Sequence, residues 1–316
     1  MAGVPELPRW QDWLGEYFHD RQTNLQRPST SDLTVTASDD ELRDGLNASS
    51  LARTQNLLLR WGVCAIVGGN GKPLIQAEIL ERVKEACGAA FNECANALLV
   101  KQSLGSTVAA AAKFREVVER DGGRFDCKHR MDEILDDDLC ASALWRSAID
   151  SVLGVGSHVV QAKGNVVALS AKQIVGNYVA RKPDASAESE GFGWQAWHSD
   201  SPHVHSWTHQ PPHCLTVFIP MTDVSPRNGS TEFLPGSHIL GSSYEKSDGG
   251  VAFTLPFGSV VIFDVRILHR GGPNLAKWDR HLAYVTYAKV SQTRAPVTRT
   301  PQTRNDGLTD AAPALV

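Results

Sequence analysis

No stretch of this chain approaches the roughly 20 consecutive apolar residues that a membrane-spanning helix needs. Positive charge is not in excess either: 31 Lys and Arg face 35 Asp and Glu, for a net charge of -4. That balance excludes the basic footprint of a nucleic-acid binder and a polybasic membrane-surface patch. Cysteine is sparse. Cys64, Cys87, Cys94, Cys127, Cys140 and Cys214 form no CxxC pair, so neither a zinc knuckle nor a disulfide framework is expected. They read as buried free thiols of a reducing compartment. The start, "MAGVPELPRWQDWLGEYFHD", lacks a basic leader followed by an apolar run. The end, "AAPALV", carries no peroxisomal or retention tag. The expectation is a cytoplasmic protein whose partner is a small molecule.

What is present changes character along the chain. Residues 1–50 are polar and aperiodic and read as an N-terminal arm, with "RPSTSDLTVTASDDE" as loop. Residues 51–290 read as a single domain. "LARTQNLLLRWGVCAIVGG" is a helix face running into a short strand. "LIQAEILERVKEACGAAFNECANALL" places Ile75, Ile79, Val83, Ala86, Ala90, Cys94 and Ala97 at three- and four-residue steps, the mark of a long amphipathic helix. Further helices are expected over "VAAAAKFREVVERDGG" and "ASALWRSAIDSVLG". The run Asp136-Asp137-Asp138 before the latter reads as a solvated helix entry suited to the positive dipole end, in preference to a metal site. Helices therefore dominate 51–157. From 158 to 290 the period shortens. "HVVQAKGNVVALS" reads as a hairpin around Lys163-Gly164-Asn165, and "KQIVGNYVARK", "HCLTVFIPMTDV", "GSVVIFDV" and "RHLAYVTYAKV" read as strands. Helices first and strands second predict an α+β fold, a β sandwich or barrel backed by N-terminal helices. Residues 291–316 read as a C-terminal tail without apolar period.

Five of the eleven histidines fall between Trp194 and His213. In His198-Ser199-Asp200 the first and third residues of an extended segment point the same way, so an imidazole and a carboxylate face one point. A third ligand is available at His269, in the turn "LHRGGPN" after a strand. Two His and one carboxylate on one face of an octahedron leave three open positions, the arrangement of non-haem Fe(II) oxygenases. Arg280 follows His269 by eleven residues. From the start of the next strand its guanidinium could meet the far carboxylate of a keto diacid with two parallel charge-assisted bonds, each worth roughly 1.5–3 kcal/mol.

"WHSD", "RNGSTEFLPGSH" and "LHRGGPN" with an Arg eleven residues on together resemble the phytanoyl-CoA dioxygenase family of Fe(II)/2-oxoglutarate oxygenases. The likeness is clearest over about residues 170–290. It implies a double-stranded β-helix, or jelly roll. It implies that His198, Asp200 and His269 are catalytic metal ligands, that Arg280 anchors the distal carboxylate of 2-oxoglutarate, and that Gln195 and Thr231 contact the same co-substrate. It implies a reaction in which O2 and 2-oxoglutarate give succinate and CO2 while a substrate C–H bond is oxidised, by hydroxylation, desaturation or ring closure. Related halogenases lack the carboxylate that Asp200 supplies, which excludes halogenation. Natural-product or amino-acid-like metabolism is the preferred setting. The alternatives are an acyl-CoA hydroxylase, which the missing peroxisomal tag weakens, and a Zn or Mn cupin-like enzyme without 2-oxoglutarate, for which Arg280 would have no purpose. A jelly roll that has lost turnover and serves as a binding module is disfavoured because all four key residues are intact.

Other residues offer weaker signals. His203-Val204-His205 is a second i, i+2 pair, but without a carboxylate in phase. With His209 and His213 it reads as lining of the pocket mouth, and Trp207 as packing or a substrate wall. His238 reads as a structural histidine. Residues 181–193 are a lid candidate. Arg124, Lys128 and Arg130 in "GRFDCKHRMD" read as solvated surface; facing the pocket instead, they would imply a substrate that carries a carboxylate or phosphate.

Overall fold

The computed structural model of the chain describes residues 27–103, 116–120, 124–170, 194–241 and 250–290. The stretch read as "KQIVGNYVARK", the lid candidate 181–193 and the tail 291–316 lie outside the described residues. Inside the stretch read as an arm, Thr34–Ala37 is a strand, β1, and Asp39–Asp44 a helix, α1. The signals for both are short. Leu33, Val35 and Ala37 alternate with threonines and are buried, a period-2 pattern of only five residues. Ser38 and Glu41 form a reciprocal capping box at the start of α1, satisfying two otherwise unpaired N–H groups.

Helix α2 (Ala48–Trp61) is N-capped by Asn47 and stops at Gly62, whose φ of 75° suits a left-handed C-terminal residue. Gly62 is needed twice over, since a Cβ there would lie 2.6 Å from the His238 ring. Strand β2 (Val63–Gly68) and the long helix α3 (Ala77–Ser103) follow as the pattern predicts. The next expected helix is not observed over its described part. Val117–Arg120 is strand β3, paired antiparallel with β4 (Arg124–Cys127). After a single-turn α4 (Met131–Ile134), the helix expected around 141–154 is two, α5 (Asp137–Ser142) and α6 (Arg146–Leu153), separated where Ala143 turns extended. Asp136 N-caps α5, its carboxylate accepting from Leu139 N–H at 2.7 Å, so that acidic run is a helix entry.

The hairpin expected over 158–170 is instead one eleven-residue strand, β5 (His158–Ala168). Gly164 is no turn; it sits opposite Tyr284, where a Cβ would lie 2.5 Å from the phenol ring. The glycine permits close approach of a neighbouring ring rather than a reversal of the chain. Tyr284 uses that position to donate to buried Asp126 Oδ1 at 3.0 Å. Gly164→Ala is therefore expected to force the ring aside and cost about 1–3 kcal/mol, the range for overpacking. A denaturant titration should show a lower midpoint at unchanged slope; an unchanged midpoint would refute the steric account.

The remaining strands are β6 (Cys214–Pro220), β7 (Thr231–Phe233), β8 (Val251–Ala252), β9 (Val260–Asp264), β10 (His269–Gly271) and β11 (Arg280–Lys289). Among the described residues, eight strands form a large sheet in the order β1-β2-β9-β6-β11-β5-β4-β3, and three form a small one, β10-β7-β8. Among the described residues only β1 and β2 run parallel; the other pairs are antiparallel. The sheets face each other, with Phe233 of β7 packed on Phe263 of β9 at 5.2 Å between ring centroids. Leu57 and Leu58 of α2 and Ile149 of α6 join the same core cluster as β2 and β9. Every residue of β9, "VVIFD", is buried, as a strand covered on both faces requires. The architecture is the expected α+β double-stranded β-helix backed by helices.

Candidate metal centre

The site is made where the small sheet meets the segment before β6. His198 and His269 form an isolated antiparallel bridge, His198 N–H donating to His269 O at 3.0 Å and His269 N–H to His198 O at 2.8 Å. Directly opposed residues of such a pair project to one face, and the two imidazoles lie 4.5 Å apart by ring centroid. Asp200, two residues on, is fixed by its own N–H, which donates to Val265 O at 2.9 Å. Its Oδ1 is 3.8 Å from His269 Nε2. His198, Asp200 and His269 each offer a ligand atom within 4.8 Å of the others.

The ring nitrogens are already sorted. His198 Nδ1 lies 2.9 Å from Ala196 O, and His269 Nδ1 lies 3.0 Å from Ile267 O. Nδ1–H donating to a carbonyl leaves Nε2 as the lone-pair donor, the support that metal-binding histidines commonly have. Burial pushes the His269 pKa down, with the Asp200 carboxylate opposing, which favours the neutral ligating form. His269 is wedged against Phe233 and Phe263, so its ring is held rigidly. Asp200 keeps substantial exposure, 44% of its side chain. The metal face is therefore dry on the His269 side and open on the Asp200 side.

Arg280 opens β11 and is 1% exposed. Its Nη2 donates to Gly229 O at 3.1 Å. Among the described residues its Nε and Nη1 have no hydrogen-bond partner. It lines a cavity between the sheets together with Thr231, Phe218, Phe233, Phe253 and Leu282. Burial, and then the nearby cation of Arg124, push its pKa down to about 9. A guanidinium with unmet donors in an apolar wall fits the free carboxylate of a keto diacid.

A family model described as phytanoyl-CoA dioxygenase matches residues 60–282. The chain belongs to the phytanoyl-CoA dioxygenase family. Membership and the His-Asp-His group together make this an iron- and 2-oxoglutarate-type oxygenase site. Comparison with solved structures gives the following likenesses. The chain is similar to EctD from S. alaskensis in its apoform, at 18% identity and a TM-score of 0.51, covering 78% of this chain and 79% of that one. It is similar to AviO1 from Streptomyces viridochromogenes Tue57, at 18% identity and a TM-score of 0.48, covering 78% and 97%. It is also similar to SnoN, an epimerase from nogalamycin biosynthesis solved with Fe3+, alpha ketoglutarate and nogalamycin RO, at 16% identity and a TM-score of 0.47, covering 85% and 97%.

The family's other motif positions are placed as follows. Thr231 pairs with Gly271 across β7 and β10 and lines the Arg280 cavity. Gln195 pins the strand end, its Oε1 accepting from Gly271 N–H at 3.0 Å and its own N–H donating to Gly271 O at 3.1 Å. The remaining histidines of the cluster do not join the triad. Burial pushes the pKa values of His203, His209 and His213 down, His209 to about 3, with smaller contributions from the Asp264 and Arg266 charges. His238 is structural, its Nε2 lying 3.0 Å from Leu59 O. Trp207 is 78% exposed, its ring tilted against His205 at 5.2 Å between centroids, so it is not a core residue. Among the described residues no helix is long and apolar enough to cross a membrane.

Two features escaped the sequence reading. Arg270, between two site residues of β10, is stacked by Trp194 at 4.2 Å and Trp197 at 4.4 Å and ion-paired to Glu232 at 2.7 Å. This sandwich ties the segment that carries His198 to the strand that carries His269. Its trace in the sequence is Trp-x-x-Trp just before the ligand motif and an Arg directly after His269. The second feature is Arg124. The basic stretch that contains it divides: Lys128 and Arg130 are exposed, whereas Arg124 is 1% exposed and packs on Gly271.

Proposed function

We propose that this protein is an Fe(II)- and 2-oxoglutarate-dependent oxygenase that oxidises a C–H bond of a small organic substrate, by hydroxylation, desaturation or ring closure. His198, Asp200 and His269 hold the iron. Arg280 grips the distal carboxylate of 2-oxoglutarate, and Thr231 and Gln195 border the co-substrate. The bound iron with 2-oxoglutarate supplies the capacity to activate O2 for C–H oxidation. The protein's part is placement. The two Nδ1–H bonds hold both imidazoles in the ligating tautomer, the Phe233–Phe263 wall keeps water from one side, and Arg280 sets the keto acid in one orientation.

The observation that carries this reading is the buried Arg280 with unmet donors in a cavity whose wall includes Phe233, the ring stacked on His269. A Zn or Mn enzyme without a diacid would leave that guanidinium's desolvation uncompensated. The open side of the metal face, at Asp200, is where a substrate approaches. Natural-product or amino-acid-like metabolism remains the setting that this reading favours.

Anaerobic titration with Fe(II) and 2-oxoglutarate tests it. A weak visible charge-transfer band should appear, and succinate should form once O2 and substrate are admitted. Arg280→Gln is expected to weaken 2-oxoglutarate binding by about 100-fold, the loss of two charge-assisted bonds. A wild-type protein that gives no band would sink the proposal.

A further inference from the structure

His198 and Asp200 ride on a segment, residues 194–200, that is no strand of either sheet. It is held by one isolated bridge, His198 opposite His269, by the bonds of Gln195 to Gly271, and by Asp200 N–H to Val265 O. Backbone groups are alike along a chain, so a pairing this short can re-form one residue out of step. Such a slip turns every side chain to the other face, and His198 would leave the metal side. Larger groups behind the bridge prevent it. Neighbours of a bridged antiparallel pair also stand opposite each other, so Trp197 faces Arg270. On the other flank of β10, Arg270 pairs in register with Glu232 of β7, and His269 with Phe233. Successive side chains of extended chain point to opposite faces. Two adjacent rows therefore cross these three segments: His198, His269 and Phe233 on the metal face, and Trp197, Arg270 and Glu232 on the reverse. On the reverse, the Arg270 guanidinium lies 4.4 Å from the Trp197 ring centre, and its Nε donates to Glu232 Oε2 at 2.7 Å. Trp194 adds a second ring at 4.2 Å. Trp197 and Glu232 are each 9% exposed. Glu232 Oε1 accepts from Gly250 N–H at 2.8 Å, and a Cβ on Gly250 would lie 2.7 Å from Glu232 Cγ and 3.0 Å from Trp197. The reverse row is thus packed tight, and a cation stacked on aromatic rings is held more strongly there than at the surface.

We propose that Arg270 is a positioning residue of the metal centre: stacked on Trp197 and paired with Glu232 on the reverse of the sheet, it locks the register that keeps His198 and Asp200 on the same side as His269, and so sets the affinity of the site for its metal. This rests on the metal-ligand reading above. A guanidinium suits the task because its flat face stacks while its edge pairs with a carboxylate, which an ammonium cannot do.

Isothermal titration of Co(II) into the metal-free full chain, beside a thermal melt of the same protein, tests it. Arg270→Lys keeps a charge for Glu232 but presents no flat face to the indoles. It is expected to weaken Co(II) binding by about 10- to 100-fold, the cost of losing a group that orients a ligand. Trp197→Leu should do the same, whereas Trp197→Phe, which keeps a ring face, should stay within about threefold of wild type. Because both changes break one contact, Arg270→Lys and Trp197→Leu together should lose no more than the worse of the two alone. Fully additive losses would overturn the proposal. So would wild-type Co(II) affinity in Arg270→Lys; a lower melting temperature with that affinity would mean that the row only packs. Should Arg270→Lys fail to fold, Trp194→Ala, which removes only the half-buried second ring, is titrated in its place. A loss of about 3- to 10-fold is then expected, and an unchanged affinity refutes the lock. Wild-type protein that takes up no Co(II) would overturn the metal-centre reading and this inference together, whereas normal wild-type binding with an unaffected Arg270→Lys overturns this inference alone.

Discussion

Asp200→Ala is expected to weaken metal binding by more than about 100-fold, exceeding the 10- to 100-fold that loss of a mere supporting partner costs, and to leave the fold intact. The carboxylate is the one anionic member of the triad and the most exposed, at 44% of its side chain. It holds up no core packing, and its backbone bond to Val265 O survives the substitution. Turnover should fall with the metal. His269→Ala should lose the metal equally but also melt earlier, because its ring is 4% exposed and fills space between Phe233 and Phe263. The two variants thus separate chemistry from packing. Isothermal titration with Fe(II) or Co(II), alongside a thermal melt of the metal-free protein, reads both. Normal metal affinity in Asp200→Ala would show that this carboxylate is not a ligand.

Arg266→Ala is expected to be the most destabilising single change outside the triad, at about 3–5 kcal/mol, because it strands a buried charge. Asp264 is 0% exposed. Burial alone would raise its pKa, but the Arg266 guanidinium and its hydrogen bonds outweigh that and hold it at about 2. The folded value lies below the ordinary 3.8 of an unfolded Asp. The pair's contribution is therefore complete above about pH 4 and is lost as pH falls toward 2. In the variant the sign reverses. The stranded carboxyl prefers its proton, so the deficit relative to wild type should be largest at neutral pH and shrink on acidification. Chemical denaturation of both proteins at pH 7 and near pH 4 checks this; a deficit that does not depend on pH would refute it. The same turn matters to function, since Val265, between the pair, supplies the carbonyl that fixes Asp200 and Ser201 N–H groups. Metal affinity in Arg266→Ala should therefore drop as well, by about 10- to 100-fold.

Much of the site was legible because its chemistry is local. His198-x-Asp200 projects two ligands from one extended segment whatever surrounds it, and a strand followed by "LHRGGPN" can present His269 only near a sheet end. The eleven-residue step to Arg280 spans a turn and reaches the next strand, which the structure places beside β5 and β6. Signals only four or five residues long were not legible. The five-residue alternation around Val35 and the capping box at Ser38 sit in polar surroundings that read as loop. Gly164 looked like a turn because a glycine between apolar runs has two explanations, reversal of the chain or approach of a ring, and only the presence of Tyr284 opposite selects the second.

What the sequence by itself determined is therefore the order of helices before strands, the apolar faces, and the identity and spacing of the triad and Arg280. These depend on side-chain period and residue chemistry, which act within a few residues of chain. What only the tertiary structure decided is which charges are desolvated: that Arg124 is buried on Gly271 while Arg130, six residues further along the chain, is exposed, and that Arg270 is clamped between two tryptophans. A guanidinium carries the same charge in either place. Its environment is set by strands distant in sequence, whose register no local pattern encodes.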